Sequence, residues 1–190
     1  MASWYFLLWA FFIISFLGWI NDAFLASLSK RKLVNSGMLF GLWCPIYGFG
    51  GIFIYILTRR FVDNPLLVFA AVIVIGSTLE LITGTILYRL FKKRWWDYTN
   101  YPLNLKGHIA LLPSLYFGLL GLFLIYLLIP FLDYIINTIP LPTGYVLLAL
   151  IGTIFATDVI LTFALIFGRF FLYHLQSWKL SFKSSFTKRR

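Results

Sequence analysis

Charged side chains are scarce in this sequence. Only 12% of its 190 residues are Asp, Glu, Lys or Arg, and only six of them are acidic. Soluble domains carry about 25% charged residues, whereas here 61% of the residues are hydrophobic. The composition excludes an ordinary water-soluble domain and predicts helices that lie in a lipid bilayer.

Cysteine is nearly absent, which excludes an internal disulfide and leaves Cys44 as a packing residue. The sequence also lacks the G-x-x-x-x-G-K-[ST] loop that holds nucleotide phosphates and the G-x-S-x-G turn of serine hydrolases. Neither His108 nor His174 has a second ligand at metal-binding spacing. We therefore expect no metal and no cofactor, and any ATP hydrolysis would have to occur on a separate subunit.

What the sequence does have is long apolar runs, each close to the roughly 20 residues that cross a bilayer as a helix. The fold class we expect is all-α, a polytopic membrane helix bundle of about five transmembrane helices. Residues 1–167 would form the bundle, and residues 168–190 a basic amphipathic cytoplasmic tail. A glycine-rich stretch at 47–51 could bend or break the second span. The predicted spans are 4–26, 38–58, 65–88, 109–130 and 144–167.

The basic residues indicate the orientation of the bundle. With these spans, 14 of the 16 Lys and Arg residues fall on one side of the membrane and 2 on the other. The positive-inside rule then places the N-terminus outside and the C-terminus in the cytoplasm of a bacterial inner membrane. Because the basic clusters flank apolar spans, the net charge of +10 favours anionic lipid headgroups over nucleic acid as a partner.

Three acids lie within the predicted spans, where a charge costs about 3 kcal/mol or more. They are Asp22, Glu80 and Asp158. Glu80 shares one helix face with Thr83 and Gly84, so a ligand or another helix could approach it closely. Asp22 and Glu80 are both predicted in the inner half of the membrane, and we expect them to share a cavity. The alternative is that each acid is protonated or paired and serves only helix packing.

A second signal is the loop between the third and fourth spans, which contains Trp95, Trp96, Asp97, Tyr98 and Asn104. Trp and Tyr are common at the headgroup level, so an interfacial belt would explain the aromatic residues alone. Paired rings beside amide and carboxylate groups also suit a sugar, a nucleobase or a cation. We include these five residues with the intramembrane acids, Thr83 and Gly84 as candidate substrate-binding residues.

Four motifs occur in order over residues 13–125. They are Gly18–Asp22, Val34–Gly37 continuing to Cys44–Gly50, Glu80–Gly84, and Trp95–Tyr98 continuing to Asn104, Gly107 and Ser114. This ordered set resembles the ABC-transporter type IV permeases, a family of small bacterial membrane proteins. The chain departs from that pattern at Asp22, where the family has Glu, and at Phe40 and Leu42, where Asn and Pro are usual. The resemblance implies transport together with a separate ATPase subunit.

The leading hypothesis is a membrane-embedded transport component, either a permease or a transmembrane substrate-binding subunit. Since five helices seldom enclose a path alone, we expect a homo-oligomer or a larger complex. The first alternative is a membrane enzyme acting on a lipid or lipid-linked head group, with Glu80 or Asp97 as general base. The second is a non-catalytic scaffold or regulator. Of these classes, we favour one that is not an enzyme.

Overall fold

The computed structural model describes the backbone of residues 3–187 and the side chains of residues 3–168. About 75% of the chain is helical. The described part contains six α-helices and one short hairpin, β1 paired antiparallel with β2. The elements are α1 (Trp4–Lys30), α2 (Pro45–Thr58), α3 (Pro65–Phe91), β1 (Asn104–Leu105), β2 (Ile109–Ala110), α4 (Leu111–Phe123), α5 (Ile129–Thr138) and α6 (Leu141–Thr187).

The all-helical membrane bundle predicted from the sequence is confirmed. Within the described residues, four segments are long and apolar enough to span a membrane, and α2 is a shorter apolar helix. Helices α4 and α5 form one of these segments because a π-helical turn, Leu124–Leu128, joins them. The four segments are Trp4–Lys30, Pro65–Phe91, Leu111–Thr138 and Leu141–Gly168.

The second predicted span, 38–58, is shorter in the structure because its helix begins only at Pro45. The residues before it form bends, and the backbone N–H of Cys44 donates a hydrogen bond of 3.0 Å to the carbonyl of Ser15 in α1. Proline suits the first turn of a helix, where its missing N–H has no partner to lose. The glycine-rich stretch 47–51 lies within the regular part of α2 and does not break it.

Helix α3 carries Glu80 and has well-defined ends. Asn64 caps its N-terminus by accepting a hydrogen bond of 3.1 Å from the N–H of Leu67, and Pro65 follows in the first turn. At the other end Lys92 adopts a left-handed conformation, with φ of 53°, and its N–H bonds to the carbonyl of Tyr88. The cap at Lys92 fixes where the following loop leaves the helix.

Glycines allow the helices to pack closely. Gly121 of α4 lies directly on Val72 of α3, and an added Cβ would come 2.9 Å from the Cβ of Val72. Gly48 of α2 lies on Phe11 of α1, where an added Cβ would come 2.7 Å from the ring. Contacts this short leave no room for a methyl group. The core therefore follows the α1–α2 and α3–α4 contacts.

Helix α6 packs on α1 through Phe155, whose ring lies 5.6 Å from that of Phe11 and 5.7 Å from that of Phe12. Its backbone continues as one helix beyond the predicted boundary at residue 168. The side chains of the predicted basic tail lie outside the described residues from position 169 onward. The division at 168 and the orientation of the bundle remain predictions.

Candidate functional site

Glu80 lies in the second half of α3 and is buried, with 5% of its surface exposed. The hydroxyl of Tyr98 donates a hydrogen bond of 2.8 Å to its Oε1 atom. The other oxygen, Oε2, is also buried and has no hydrogen-bond partner among the described residues. Buried polar atoms are normally paired, so this unpaired oxygen keeps Glu80 a candidate binding residue.

The hairpin positions Tyr98. Its backbone N–H donates to the carbonyl of Gly107 across the loop, at 2.9 Å. Asn104 closes the turn: its Oδ1 accepts from the N–H of Gly107 at 3.0 Å, and its Nδ2 donates to the carbonyls of Thr99 and Tyr101. The side chain of Asn104 is therefore engaged within the loop itself.

Asp97 is exposed and serves the same loop. It forms an ion pair of 2.9 Å with Arg94 and accepts hydrogen bonds from the hydroxyl and the N–H of Thr99. These hydrogen bonds from Thr99, together with Arg94, hold the pKa of Asp97 below its ordinary value. The carboxylate is thus held in its charged form as part of the turn.

Trp96 brings the loop onto the small face of α3. Its ring nitrogen donates to the carbonyl of His108 at 2.9 Å, and both residues lie over Gly84. A Cβ at Gly84 would come 3.0 Å from Nδ1 of His108 and 3.1 Å from Cζ2 of Trp96. Trp95 instead packs on Phe91, with the Nζ of Lys93 5.2 Å from its ring. The structure thus brings Trp96 and Gly84 together, but gives Trp95 other neighbours.

Asp22 lies in a second polar cluster, between α1, α2 and α4. The hydroxyl of Tyr47 donates to its Oδ1 at 2.6 Å, and the Sγ of Cys44 lies 3.7 Å from its Oδ2. Asn21 donates to the Tyr47 oxygen at 3.3 Å and accepts from the hydroxyl of Tyr116 at 2.5 Å. Three helices therefore contribute to holding this carboxylate.

Tyr98 bonds to Glu80 and lies in the electrostatic field of Asp22. Burial is the largest cause of the raised pKa of its phenol, and the negative charges of Glu80 and Asp22 raise that pKa further. Both carboxylates therefore lie within electrostatic range of one phenol. We call the group formed by Glu80, Tyr98, Asp22 and Tyr47 the Glu80 site.

Comparison with known proteins identifies the family. The model of the family described as "Putative ABC-transporter type IV" matches residues 9–163. The chain belongs to this family. No curated protein and no solved structure matches the chain. Membership in the ABC-transporter type IV family, together with the span-length helices, supports a membrane transport component.

Every candidate residue of this ABC-transporter type IV chain lies inside the matched region, but they do not form one site. Asp158 on α6 accepts backbone hydrogen bonds from Phe40 at 3.0 Å and Gly41 at 2.9 Å, and one from the hydroxyl of Thr162 at 3.2 Å. It lines an open groove of about 560 Å³ between α6 and Phe40, and it makes no hydrogen bond to Glu80. Thr83 is half-buried on α3, one turn after Glu80.

Tyr47 and Asn21, the polar partners of Asp22, are not among the site residues predicted for this ABC-transporter type IV chain. Both lie inside the motifs that carry the resemblance, but neither is charged, and the prediction rests on charged residues within the spans. A signal was present, because Gly18 lies one turn before Asp22 and leaves the space that the ring of Tyr47 fills. Among the described residues, no group of three or more His, Cys, Asp or Glu could hold a metal ion.

Proposed function

We propose that the protein is a permease or a transmembrane substrate-binding subunit of a transport complex, and that the Glu80 site binds its substrate. The observation that carries this proposal is the buried Oε2 of Glu80, which has no hydrogen-bond partner in the part of the chain that the structure describes. An unsatisfied buried polar atom costs about 1–3 kcal/mol, and more when it is charged. A substrate that donates a hydrogen bond to Oε2 would remove this cost.

The loop that carries Tyr98 would cover this substrate. Tyr98 and Trp96 approach α3 from the loop between α3 and β1, at the Glu80 and Gly84 positions one turn apart. In the orientation that the positive-inside rule predicts, this loop faces the cytoplasm, where a separate ATPase subunit would act. Because the sequence has no phosphate-binding loop, that subunit would supply nucleotide binding. We expect a homo-oligomer or a larger complex around the site.

The surroundings of Asp97 make it a poor general base, which leaves Glu80 as the acid that the enzyme alternative would use. A general base works best with a pKa near the operating pH. Asp97, one of the two acids considered for that role, has a lowered pKa and is engaged by Arg94 and Thr99. A base with these properties would accept a proton poorly.

The experiment is mass spectrometry of small molecules, lipids and proteins that co-purify with the chain in mild detergent. Wild type is compared with Glu80→Gln, which keeps the size of the side chain, and with Asp133→Asn, which removes an exposed acid of α5. We expect a compound that remains with wild type and Asp133→Asn and is lost from Glu80→Gln. If all three samples carry only bulk phospholipid, Glu80 is structural and the scaffold hypothesis replaces transport.

A further inference from the structure

We propose that the Glu80 site binds the ammonium group of an organic amine. This inference rests on the proposed function and deepens it by naming the chemical class of the substrate.

Charge balance favours a cationic ligand at the Glu80 site. The only ion pair among the described side chains joins Arg94 and Asp97, so Glu80 and Asp22 have no Lys, Arg or His nitrogen within 4.0 Å. Arg94 is occupied further by the ring of Tyr88, 5.3 Å from its guanidinium carbon. Acids within membrane helices usually pair with a cation or mark a pathway for one. A cationic substrate would provide the positive charge that no described side chain provides.

The balance of hydrogen-bond donors and acceptors at the site also favours an ammonium group. The hydroxyls of Tyr98 and Tyr47 each donate their single hydrogen to a carboxylate, at 2.8 Å and 2.6 Å. What these groups leave for a substrate is acceptors: Oε2 of Glu80, the phenol oxygen of Tyr98, and the lone pair of the Tyr47 oxygen that Asn21 does not occupy. An ammonium group has three donors and no acceptor, so it matches this arrangement.

The lining of the site fits an organic amine better than a calcium ion. Calcium takes about six to eight oxygen ligands, and no group of three or more His, Cys, Asp or Glu that could hold a metal ion occurs among the described residues. The site offers aromatic rings instead. The ring of Tyr47 packs against Phe117 at 6.2 Å, and that of Tyr98 against Tyr101 at 5.6 Å. Aromatic faces attract alkylated ammonium groups through cation–π interaction.

A selective probe is available because Glu80 is the sole glutamate in the sequence. Protein made by cell-free synthesis with ¹³C-glutamate gives one side-chain carboxyl resonance, and Glu80→Gln confirms its assignment. The protein is placed in zwitterionic lipid nanodiscs, so that bulk lipid charge does not attract the probes. It is titrated with n-butylammonium chloride, with n-butanol as a neutral match of equal length and with sodium chloride as a simple cation.

We expect a saturable shift of the Glu80 resonance with n-butylammonium and no saturable shift with n-butanol or sodium chloride. Asp22→Asn should lower the affinity for n-butylammonium about tenfold, the effect of removing one charge near a partly buried site. Asp133→Asn removes the same charge from exposed α5 and should leave the affinity unchanged.

Equal responses to n-butylammonium and n-butanol would overturn the inference, as would an unchanged affinity in Asp22→Asn. A resonance that titrates with pH but ignores n-butylammonium would also overturn it, because the proton would then be the only cation bound. Rejection of the amine inference would not reject the proposed transport function. A neutral compound that co-purifies with wild type and is lost from Glu80→Gln would keep the transport proposal and reject the amine.

Discussion

The hydroxyl of Tyr98 donates a hydrogen bond of 2.8 Å to Oε1 of Glu80, joining the hairpin loop to the buried face of α3. The two residues are 18 positions apart, and the contact forms because α3 ends at Phe91 and the chain turns back over it. The position of the loop and the environment of the carboxylate are therefore coupled. Any substrate that reaches Oε2 meets a carboxylate already oriented by Tyr98.

The contact can be tested with Tyr98→Phe, which removes the hydroxyl and keeps the ring. Loss of one hydrogen bond to a carboxylate should weaken closure of the loop by about 1–3 kcal/mol. Hydrogen–deuterium exchange of the backbone N–H at position 98, which bonds to Gly107, should then be about tenfold faster or more. Tyr101→Phe is the control, since the exposed Tyr101 contacts Tyr98 through its ring and its backbone N–H, both of which the substitution keeps. Equal exchange in both variants would show that the hydroxyl does not hold the loop.

Asp158 is expected to act on stability. Its carboxylate holds the N–H groups of Phe40 and Gly41 against α6, so Asp158→Asn replaces one acceptor with a donor facing them. We expect the free energy of unfolding to fall by about 1–3 kcal/mol, measured by denaturant titration in detergent micelles. The exposed control Asp133→Asn should change it by less than about 0.5 kcal/mol. Loss of the co-purifying compound from a fully stable Asp158→Asn would instead make Asp158 a binding residue.

Most of the fold was predictable from hydropathy. Spans beginning at Trp4 and Pro65 were located correctly because apolar composition changes sharply at charged or proline-containing breaks. The start of α2 at Pro45 was not, because residues 38–44 are as apolar as a helix. What keeps them out of helix is tertiary: the N–H of Cys44 bonds to α1, and Asp158 of α6 binds the preceding turn. A hydropathy pattern carries no information about such partners.

Within the candidate site, only the relations between residues on the same helix were predictable from the sequence. Spacing along α3 correctly grouped Glu80 with Gly84, since helical periodicity is local. The approach of Tyr98 to Glu80 depends on how the loop folds back, and the partnership of Asp22 with Tyr47 depends on how α2 packs on α1. Both are long-range contacts between neutral and acidic groups, and no single-sequence pattern specifies them.

Close packing between α3 and α4 should make Gly121→Ala destabilising. The added methyl group would overlap the side chain of Val72, which is fully buried. Overpacking of this kind costs about 1–3 kcal/mol in the free energy of unfolding. The matched control is Gly152→Ala on α6, where the new Cβ would lie 3.8 Å from Phe12, an ordinary contact. Similar stabilities for the two variants would contradict the helix packing described here.

The turn around Asp97 should depend on pH in a defined direction. The pKa of Asp97 is lower in the folded protein than its ordinary value of about 3.9, so the unfolded chain binds the proton more tightly. The stabilisation is fully present above about pH 5 and is lost as the pH falls below about 4. The amide resonance of Thr99, which bonds to Asp97, should move over that range and stay fixed in Asp97→Asn. A shift of Thr99 centred above about pH 5 would contradict this assignment.

The central claim is that Glu80 binds a substrate and does not serve only helix packing. The most direct measurement is the thermal unfolding of wild type and Glu80→Gln against a panel of small amines, alcohols, sugars and nucleosides. A compound at 100 times its dissociation constant stabilises the protein that binds it by about 2.7 kcal/mol, which raises Tm by about 5 °C or more. We expect at least one compound to raise Tm of wild type and to leave that of Glu80→Gln unchanged. Equal responses of the two proteins, or no response of wild type to any compound, would contradict the claim and identify Glu80 as a packing residue.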